Sequence, residues 1–289
     1  MSVPAAFDYY PAASVDEAIS LLQQYGDEAK LLAGGHSLLP TMKLRLAQPG
    51  VLIDIGRISG LSYIREDNGT VAVGALTTYA TMARSDLLRQ HFALLVDAAS
   101  VLGDPQVRNR GTIGGAVSHA DPAADMTAIV MALKADIVVK GPNGERTIKA
   151  DDFFVDIFTT ALQPGEIVTE LRFAIPPAHT GSAYMKLENK ASHYAVVGCA
   201  AVITLGDNGT CSAASLTVTG AAVKPGRASA TESALVGSTL DEATVANAAS
   251  HAADGLELVS DIHGSQAYRG DMTKVMMRRA IQKAAERAR

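Results

Sequence analysis

The stretch Lys30-Leu31-Leu32-Ala33-Gly34-Gly35-His36-Ser37 reads as a short apolar strand that runs straight into paired glycines and a hydroxyl side chain. Glycine lets a backbone approach a ligand closely and turn its amides inward, because no Cβ stands in the way. Upstream, Ser14 followed by Glu17 is a capping box, in which each side chain satisfies an orphan amide of the first helical turn. It predicts a helix with Val15, Ile19 and Leu22 on its buried stripe, ended by Gly26. Downstream, Val51 to Ile55 and Thr70 to Leu76 are apolar strands. Helices and strands alternating over short connections describe an α/β or α+β layer.

A second glycine pair lies about 80 positions further on, in Gly111-Thr112-Ile113-Gly114-Gly115. Successive backbone amides form a concavity for anions, so two such loops suit the two phosphates of a dinucleotide. Ser37 and Thr112 would add hydroxyl donors. Neither loop shows the Gly-x-Gly-x-x-Gly spacing of a Rossmann site, nor the phosphate loop of nucleotide hydrolases. Read from the residues alone, the pairs are either a two-loop phosphate site or two ordinary turns.

The chain around them has 289 residues, 48% apolar and 19% charged. That is enough for a sizeable core in two or three subdomains, and it is not a disordered composition. A net charge of -5 without a basic face argues against a nucleic-acid partner. The cations near the C-terminus, Arg278, Arg279, Lys283, Arg287 and Arg289, read as complements to the end of a helix dipole. Two cysteines, Cys199 and Cys211, supply neither a disulfide framework nor a cysteine-type zinc site. They also fall short of the four thiolates of a 2Fe–2S cluster, so no metal ligands are expected here. Met1 to Pro11 lacks the basic start and apolar run of a secretory signal. The longest apolar stretch, Tyr194 to Leu205, is shorter than the roughly 20 residues of a membrane span. A soluble, cytoplasmic protein is expected.

The rest of the chain supplies more elements. Helical patterns cover Tyr79 to about His91 and Phe92 to Leu102, broken by Gly103-Asp104-Pro105. Arg110 to Ala116 reads as a glycine-rich loop and Asp125 to Lys134 as a helix. Asp136 to Lys140 and Arg146 to Lys149 flank the turn Pro142-Asn143-Gly144. Pro176-Pro177 marks a boundary. Beyond it, Ser182 to Leu187, Ala195 to Leu205 and Cys211 to Gly220 read as strands, the last two joined by Asp207-Asn208-Gly209. Asp241 to about Gly255, and Tyr268 to the end, read as helices.

These segments carry a resemblance. Ala33-Gly34-Gly35-His36-Ser37-Leu38-Leu39-Pro40-Thr41-Met42-Lys43-Leu44-Arg45 resembles the first FAD loop of the medium subunit of aerobic carbon monoxide dehydrogenases, within the xanthine dehydrogenase family of molybdenum hydroxylases. Arg108-Asn109-Arg110-Gly111-Thr112-Ile113-Gly114-Gly115 resembles the second loop, and His119-Ala120-Asp121-Pro122-Ala123-Ala124-Asp125 the stretch that follows it. The order and spacing are the family's, and Phe7 to Pro11 and the C-terminal half look like it too, so nearly the whole chain is covered. The resemblance implies an α+β protein with the PCMH-type FAD-binding fold. Two α+β subdomains, about 1–56 and 57–176, would clasp non-covalent FAD. A C-terminal α+β domain, 177–289, would carry a three-stranded antiparallel sheet backed by helices.

The resemblance also implies roles. Ala33, Gly34, Gly35, His36 and Ser37, with Leu38 beside them, would wrap the pyrophosphate through backbone amides. Thr112, Ile113, Gly114 and Gly115 would supply further amides and one hydroxyl, with His119 and Asp121 in the following stretch. Asp125 would bond a ribityl hydroxyl, Lys186 would reach the flavin ring system, and Tyr194 would lie against the isoalloxazine. A cation at the ring edge favours the anionic reduced flavin. Plainer readings stand beside these: His36 as a polar loop residue, Asp125 as an acid at a helix start, Lys186 as an edge-strand lysine, Tyr194 as a core aromatic, Arg108 as an ion-pair partner, and His119 and Asp121 as loop formers. Two departures are Ala116, where relatives often carry Ser or Asn, and Thr127, where proline is frequent.

The implied activity is a relay. Electrons leave a molybdopterin centre, cross 2Fe–2S clusters, reach FAD on this chain and pass to an external acceptor, by analogy a quinone. The partners are a small iron–sulfur subunit and a large molybdenum subunit, paired as a dimer of heterotrimers that can associate with the inner face of the membrane. No catalytic acid, base or nucleophile is expected on this chain. Carbon monoxide is the first expected substrate, with purines, N-heterocycles and aldehydes as alternatives. A stand-alone flavin reductase of the enolpyruvyl-sugar type and a structural subunit with a vestigial flavin site are the rival readings.

Overall fold

The computed structural model describes residues 3–289. Met1 and Ser2, part of the segment read above as lacking a secretory signal, lie outside it.

The N-terminal unit is a parallel sheet of β1 (Asp8–Pro11), β2 (Ala29–Leu32) and β3 (Val51–Asp54), in the order β1-β3-β2. Val51, Leu52 and Ile53 of the central strand are all buried, as befits a strand covered on both faces. Helix α1 (Val15–Tyr25) connects β1 to β2. Ser14 Oγ accepts the Glu17 N–H at 3.1 Å, and Gly26, at φ +52, ends the helix. The reciprocal bond of the capping box falls one residue early: Glu17 accepts from the Ala13 N–H at 2.7 Å. Ile19 is buried, while Val15 and Leu22 are half-buried. The Ala33 loop leaves the carboxyl end of edge strand β2, the end at which open parallel sheets bind ligands. It runs into α2 (Leu38–Lys43), a short helix with no periodic signal.

The second unit is an antiparallel sheet. It begins with β4 (Ile64–Asp67) and β5 (Thr70–Gly74). A run of helices follows: α3 (Tyr79–Arg84), α4 (Asp86–His91), α5 (Ala93–Val101), α6 (Pro105–Arg110), α7 (Ile113–His119) and α8 (Asp125–Ala132). Then come β6 (Asp136–Gly141), β7 (Gly144–Lys149), α9 (Ala150–Phe153), a small hairpin of β8 (Phe154–Asp156) and β9 (Thr159–Thr160), and β10 (Ile167–Ala174). The sheet order is β4-β5-β10-β6-β7.

Two expectations change here. The predicted helix from Tyr79 to His91 is split at Ser85, whose hydroxyl accepts the Leu88 N–H at 3.2 Å and starts α4. The predicted loop from Arg110 to Ala116 is the end of α6 and the first turn of α7. Capping overrides poor propensity, for Thr112 Oγ1 accepts the Gly115 N–H at 3.2 Å. Central strand β10 escapes the sequence reading because Glu170 and Arg172 interrupt its apolar pattern. Glu170 is nevertheless buried, and its carboxylate accepts from the Tyr63 hydroxyl, Arg65 and Arg172.

The C-terminal unit carries the three expected antiparallel strands, β11 (Thr180–Glu188), β12 (Ala195–Leu205) and β13 (Cys211–Thr219). A two-residue edge strand, β14 (Gly226–Arg227), extends the sheet to four. After α10 (Ser229–Leu235) and α11 (Glu242–Ala249), the long α12 (Gln266–Ala288) lies across β11 and β12. Its alanines explain how close it comes: a Cβ on Gly181 would lie 2.0 Å from the Ala284 carbonyl oxygen. Arg287, expected to answer the helix dipole, instead tethers the helix, donating to Ser182 O at 2.7 Å and Asp97 at 2.5 Å. Among the described residues no helix is long and apolar enough to cross a membrane.

Candidate cofactor site

The two glycine loops meet in space. A Cβ on Gly34 would lie 1.9 Å from the Arg110 carbonyl oxygen and 3.2 Å from the Gly111 Cα, so the loops touch only because Gly34 has none. Gly35 sits at φ +77, a left-handed conformation that suits glycine. The N–H groups of Gly34, Gly35, His36, Ser37 and Leu38 meet no protein acceptor among the described residues. The first amide of this stretch to find one is that of Leu39, which donates to Gly35 O at 3.0 Å. His36 is exposed, its Nδ1 3.2 Å from Gly34 O.

The second loop is wired differently. The Ile113 N–H donates to Thr77 O at 3.1 Å, Gly114 N–H to Ala75 O at 2.9 Å, and Gly115 N–H to Thr112 Oγ1 at 3.2 Å. Of the amides from Thr112 to Gly115, expected to face a pyrophosphate, three bond within the protein. The glycines serve close packing instead. A Cβ on Gly114 would lie 2.5 Å from Ala75 Cβ, and one on Gly111 would lie 2.6 Å from Tyr79 Cε2. Tyr79, buried beneath the loop with its phenol pKa raised by that burial, and Ala75 were missed by the sequence reading, since nothing local marks either as a neighbour of the site.

The other expected residues gather beside these loops. Asp125, the first residue of α8, and Lys186, on β11, pair with each other: Lys186 Nζ lies 3.1 Å from Asp125 Oδ2, and both side chains are 5% exposed. The other Asp125 oxygen accepts from the Tyr184 hydroxyl, and Lys186 also donates to His193 O at 2.9 Å. Burial pushes the Asp125 carboxyl up, opposed by the Lys186 charge. The structure thus gives protein partners to the groups expected at the ribityl chain and at the ring. Tyr194 is 40% exposed and is not a core aromatic. Burial raises its phenol, the Asp121 carboxylate adds to this, and the neighbouring Ser37 side chain opposes it. Tyr194 lines a cavity of about 450 Å³ together with Asp121, Pro122, Phe158, Val223 and Arg269. Asp121 also shapes its turn by accepting the Ala123 N–H at 2.8 Å, and the His119 ring lies 5.1 Å from that of Phe158. Among the described residues Arg108 makes no ion pair; it donates to Gly103 O at 2.9 Å and Leu102 O at 3.3 Å, holding the turn before α6. Thr127 is buried and stitches α8 to β13, donating to Ala124 O at 2.8 Å beside Thr219 Oγ1.

A run of unclaimed amides pressed against a second loop fits the diphosphate of a dinucleotide, since anions favour such concavities. The cavity lined by Tyr194 mixes apolar walls, Pro122, Phe158 and Val223, with the charged Asp121 and Arg269. Comparison with known proteins agrees. The family described as the FAD binding domain in molybdopterin dehydrogenase matches residues 5–178, and the CO dehydrogenase flavoprotein C-terminal domain matches residues 182–284. The chain is 42% identical to the carbon monoxide dehydrogenase medium chain of Hydrogenophaga pseudoflava over 98% of each chain. It is 39% identical to the 6-hydroxypseudooxynicotine dehydrogenase complex subunit alpha of Paenarthrobacter nicotinovorans, over 99% of this chain and 97% of that one. Its structure matches that of carbon monoxide dehydrogenase from Hydrogenophaga pseudoflava with a TM-score of 0.95 and 44% identity, covering 99% of both chains. The chain belongs to the family of FAD-binding subunits of molybdopterin dehydrogenases.

Proposed function

We propose that this chain is the FAD-carrying electron-transfer subunit of an aerobic carbon monoxide dehydrogenase. The full-length likeness to the Hydrogenophaga pseudoflava enzyme carries this reading. Bound FAD supplies the redox chemistry, taking up electrons and releasing them to an acceptor. The chain's own residues bind and orient. The amides of Gly34 to Leu38 hold the diphosphate, with Ala33 leading in and the Ser37 and Thr112 hydroxyls alongside. Ile113, Gly114 and Gly115 keep the second loop pressed against the first. Tyr194 covers the ring at the mouth of the cavity, Asp121 forms part of its wall, and His119 stands behind Phe158. Asp125 and Lys186 support the site from beneath. In this reading residues 1–176 form the FAD clasp, divided near residue 56, and 177–289 the domain that closes over it. Both cysteines are buried and unpaired, which suits clusters carried elsewhere. The partners are a small iron–sulfur and a large molybdenum subunit in a dimer of heterotrimers. Their acceptor is a quinone at the inner face of the membrane.

The test is the assembled complex under anaerobic conditions. Carbon monoxide is expected to bleach the flavin absorbance, and 6-hydroxypseudooxynicotine to leave it unchanged. The reverse result would install the second reading, a hydroxylase of N-heterocycles, which the likeness to the Paenarthrobacter nicotinovorans subunit favours.

A further inference from the structure

The loop Asn189–Tyr194 joins β11 to β12 at the end nearest the glycine loops. It is built from within: the Asn189 N–H donates to Tyr194 O at 2.9 Å, the His193 N–H donates to Asn189 O at 2.8 Å, and Asn189 Oδ1 accepts the amides of Ala191 and Ser192. Yet His193 sits at φ +58, in the left-handed region. A non-glycine residue persists there only where its surroundings hold it.

What holds it is Lys186. Its ammonium donates to the His193 carbonyl at 2.9 Å and to Asp125 Oδ2 at 3.1 Å, and lies 3.5 Å from Val101 O. One buried cation therefore ties together the end of α5, the start of α8 and the residue before Tyr194. Asp125 is in turn fixed by the Tyr184 hydroxyl. A buried ion pair is weak evidence for stability, because desolvating the charges offsets their attraction; its better-attested use is to select one arrangement among several. The arrangement selected here is the place of Tyr194, which lines the cavity together with Asp121.

We infer that Lys186 is a positioning residue for Tyr194: paired with Asp125, it holds the His193 carbonyl and so sets where the Tyr194 ring stands over the cavity. This rests on the flavin reading above, in which Tyr194 faces the ring. It replaces a direct lysine–flavin contact, since each Lys186 N–H already has a protein oxygen to face. Lys186 and Tyr194 then act as one unit, and their substitutions are non-additive.

The experiment uses the assembled complex with Lys186→Met, Tyr194→Ala and the double variant. It reads FAD dissociation by fluorescence and the flavin's visible circular dichroism. Each single variant is expected to weaken FAD retention about ten-fold, and the double variant also about ten-fold rather than a hundred-fold. The dichroism of Lys186→Met should match that of Tyr194→Ala, a signature that mere loss of stability does not produce. Additive losses would overturn the inference in favour of a direct contact, and an unchanged dichroism in Lys186→Met would overturn it in favour of a structural role. If Lys186→Met does not assemble, Lys186→Arg takes its place in the same cycle: non-additivity supports the inference, and additivity or no effect overturns it. An unsubstituted complex without flavin would overturn both this inference and the flavin reading, and would be seen before any variant is compared.

Discussion

Gly34-Gly35 and Gly114-Gly115 look alike as paired glycines, the first after an apolar strand and the second after Arg108-Asn109-Arg110-Gly111-Thr112-Ile113. In the structure the first pair opens a run of five N–H groups without acceptors among the described residues, whereas Ile113, Gly114 and Gly115 send theirs to Thr77, Ala75 and Thr112. The cause is what lies alongside. The first pair leaves β2, an edge strand with a neighbour on one side only. The second runs against the segment after β5, where Thr78 and Thr112 form a bridge. Backbone amides bond to whatever acceptor is nearest. A glycine pair therefore keeps its amides open only where the fold leaves it unaccompanied, and otherwise becomes packing.

The largest effect that would break this comparison lies at Gly34. In Gly34→Ala the new Cβ must move about an ångström away from the Arg110 carbonyl, parting the loops. FAD affinity is expected to fall by about a hundred-fold or more, roughly 2.7 kcal/mol, by fluorescence titration. Retention of affinity would mean that the loops need not touch. A middle effect is expected at Gly114, whose added methyl in Gly114→Ala meets Ala75. Overpacking of this kind costs about 1–3 kcal/mol. The flavin-free protein should melt several degrees lower, at about 2–4 °C per kcal/mol for a chain of this size, while FAD affinity changes less than it does in Gly34→Ala. The smallest effect is expected at Thr112. Thr112→Val removes the cap of α7 and one hydroxyl beside the diphosphate, costing about 1 kcal/mol of stability and far less affinity than Gly34→Ala. If Thr112→Val lowered affinity as far as Gly34→Ala, the division of labour between the loops would be wrong.

Much of the fold could be read in advance where local chemistry decides it. The Asp207-Asn208-Gly209 turn, the span of β12 from Ala195 to Leu205 and the Ser14 cap all depend on near neighbours. Strand β10 could not be read, because Glu170 looks like a solvent residue until Tyr63, Arg65 and Arg172 are brought around it by the tertiary fold. Nor could the first turn of α7, since two glycines there argue against a helix that Thr112 nonetheless caps. For the candidate site, residues that the fold brings together could be named in advance and their wiring could not. The mutual pairing of Asp125 and Lys186 joins positions 61 apart, and the contact of Gly34 with Arg110 spans two units of the fold. Both depend on how sheets and loops dock, which no local pattern records.

Amide hydrogen exchange, with and without FAD, tests the central claim most directly, because it reads the very groups at issue. Without FAD, the amides of Gly34 to Leu38 should exchange rapidly, and those of Ile113 to Gly115 should be protected by their protein acceptors. FAD should slow the first set by at least about ten-fold and leave the second as it was. Protection appearing on Ile113 to Gly115 while Gly34 to Leu38 continue to exchange freely would contradict the account, and would make the second loop the receptor.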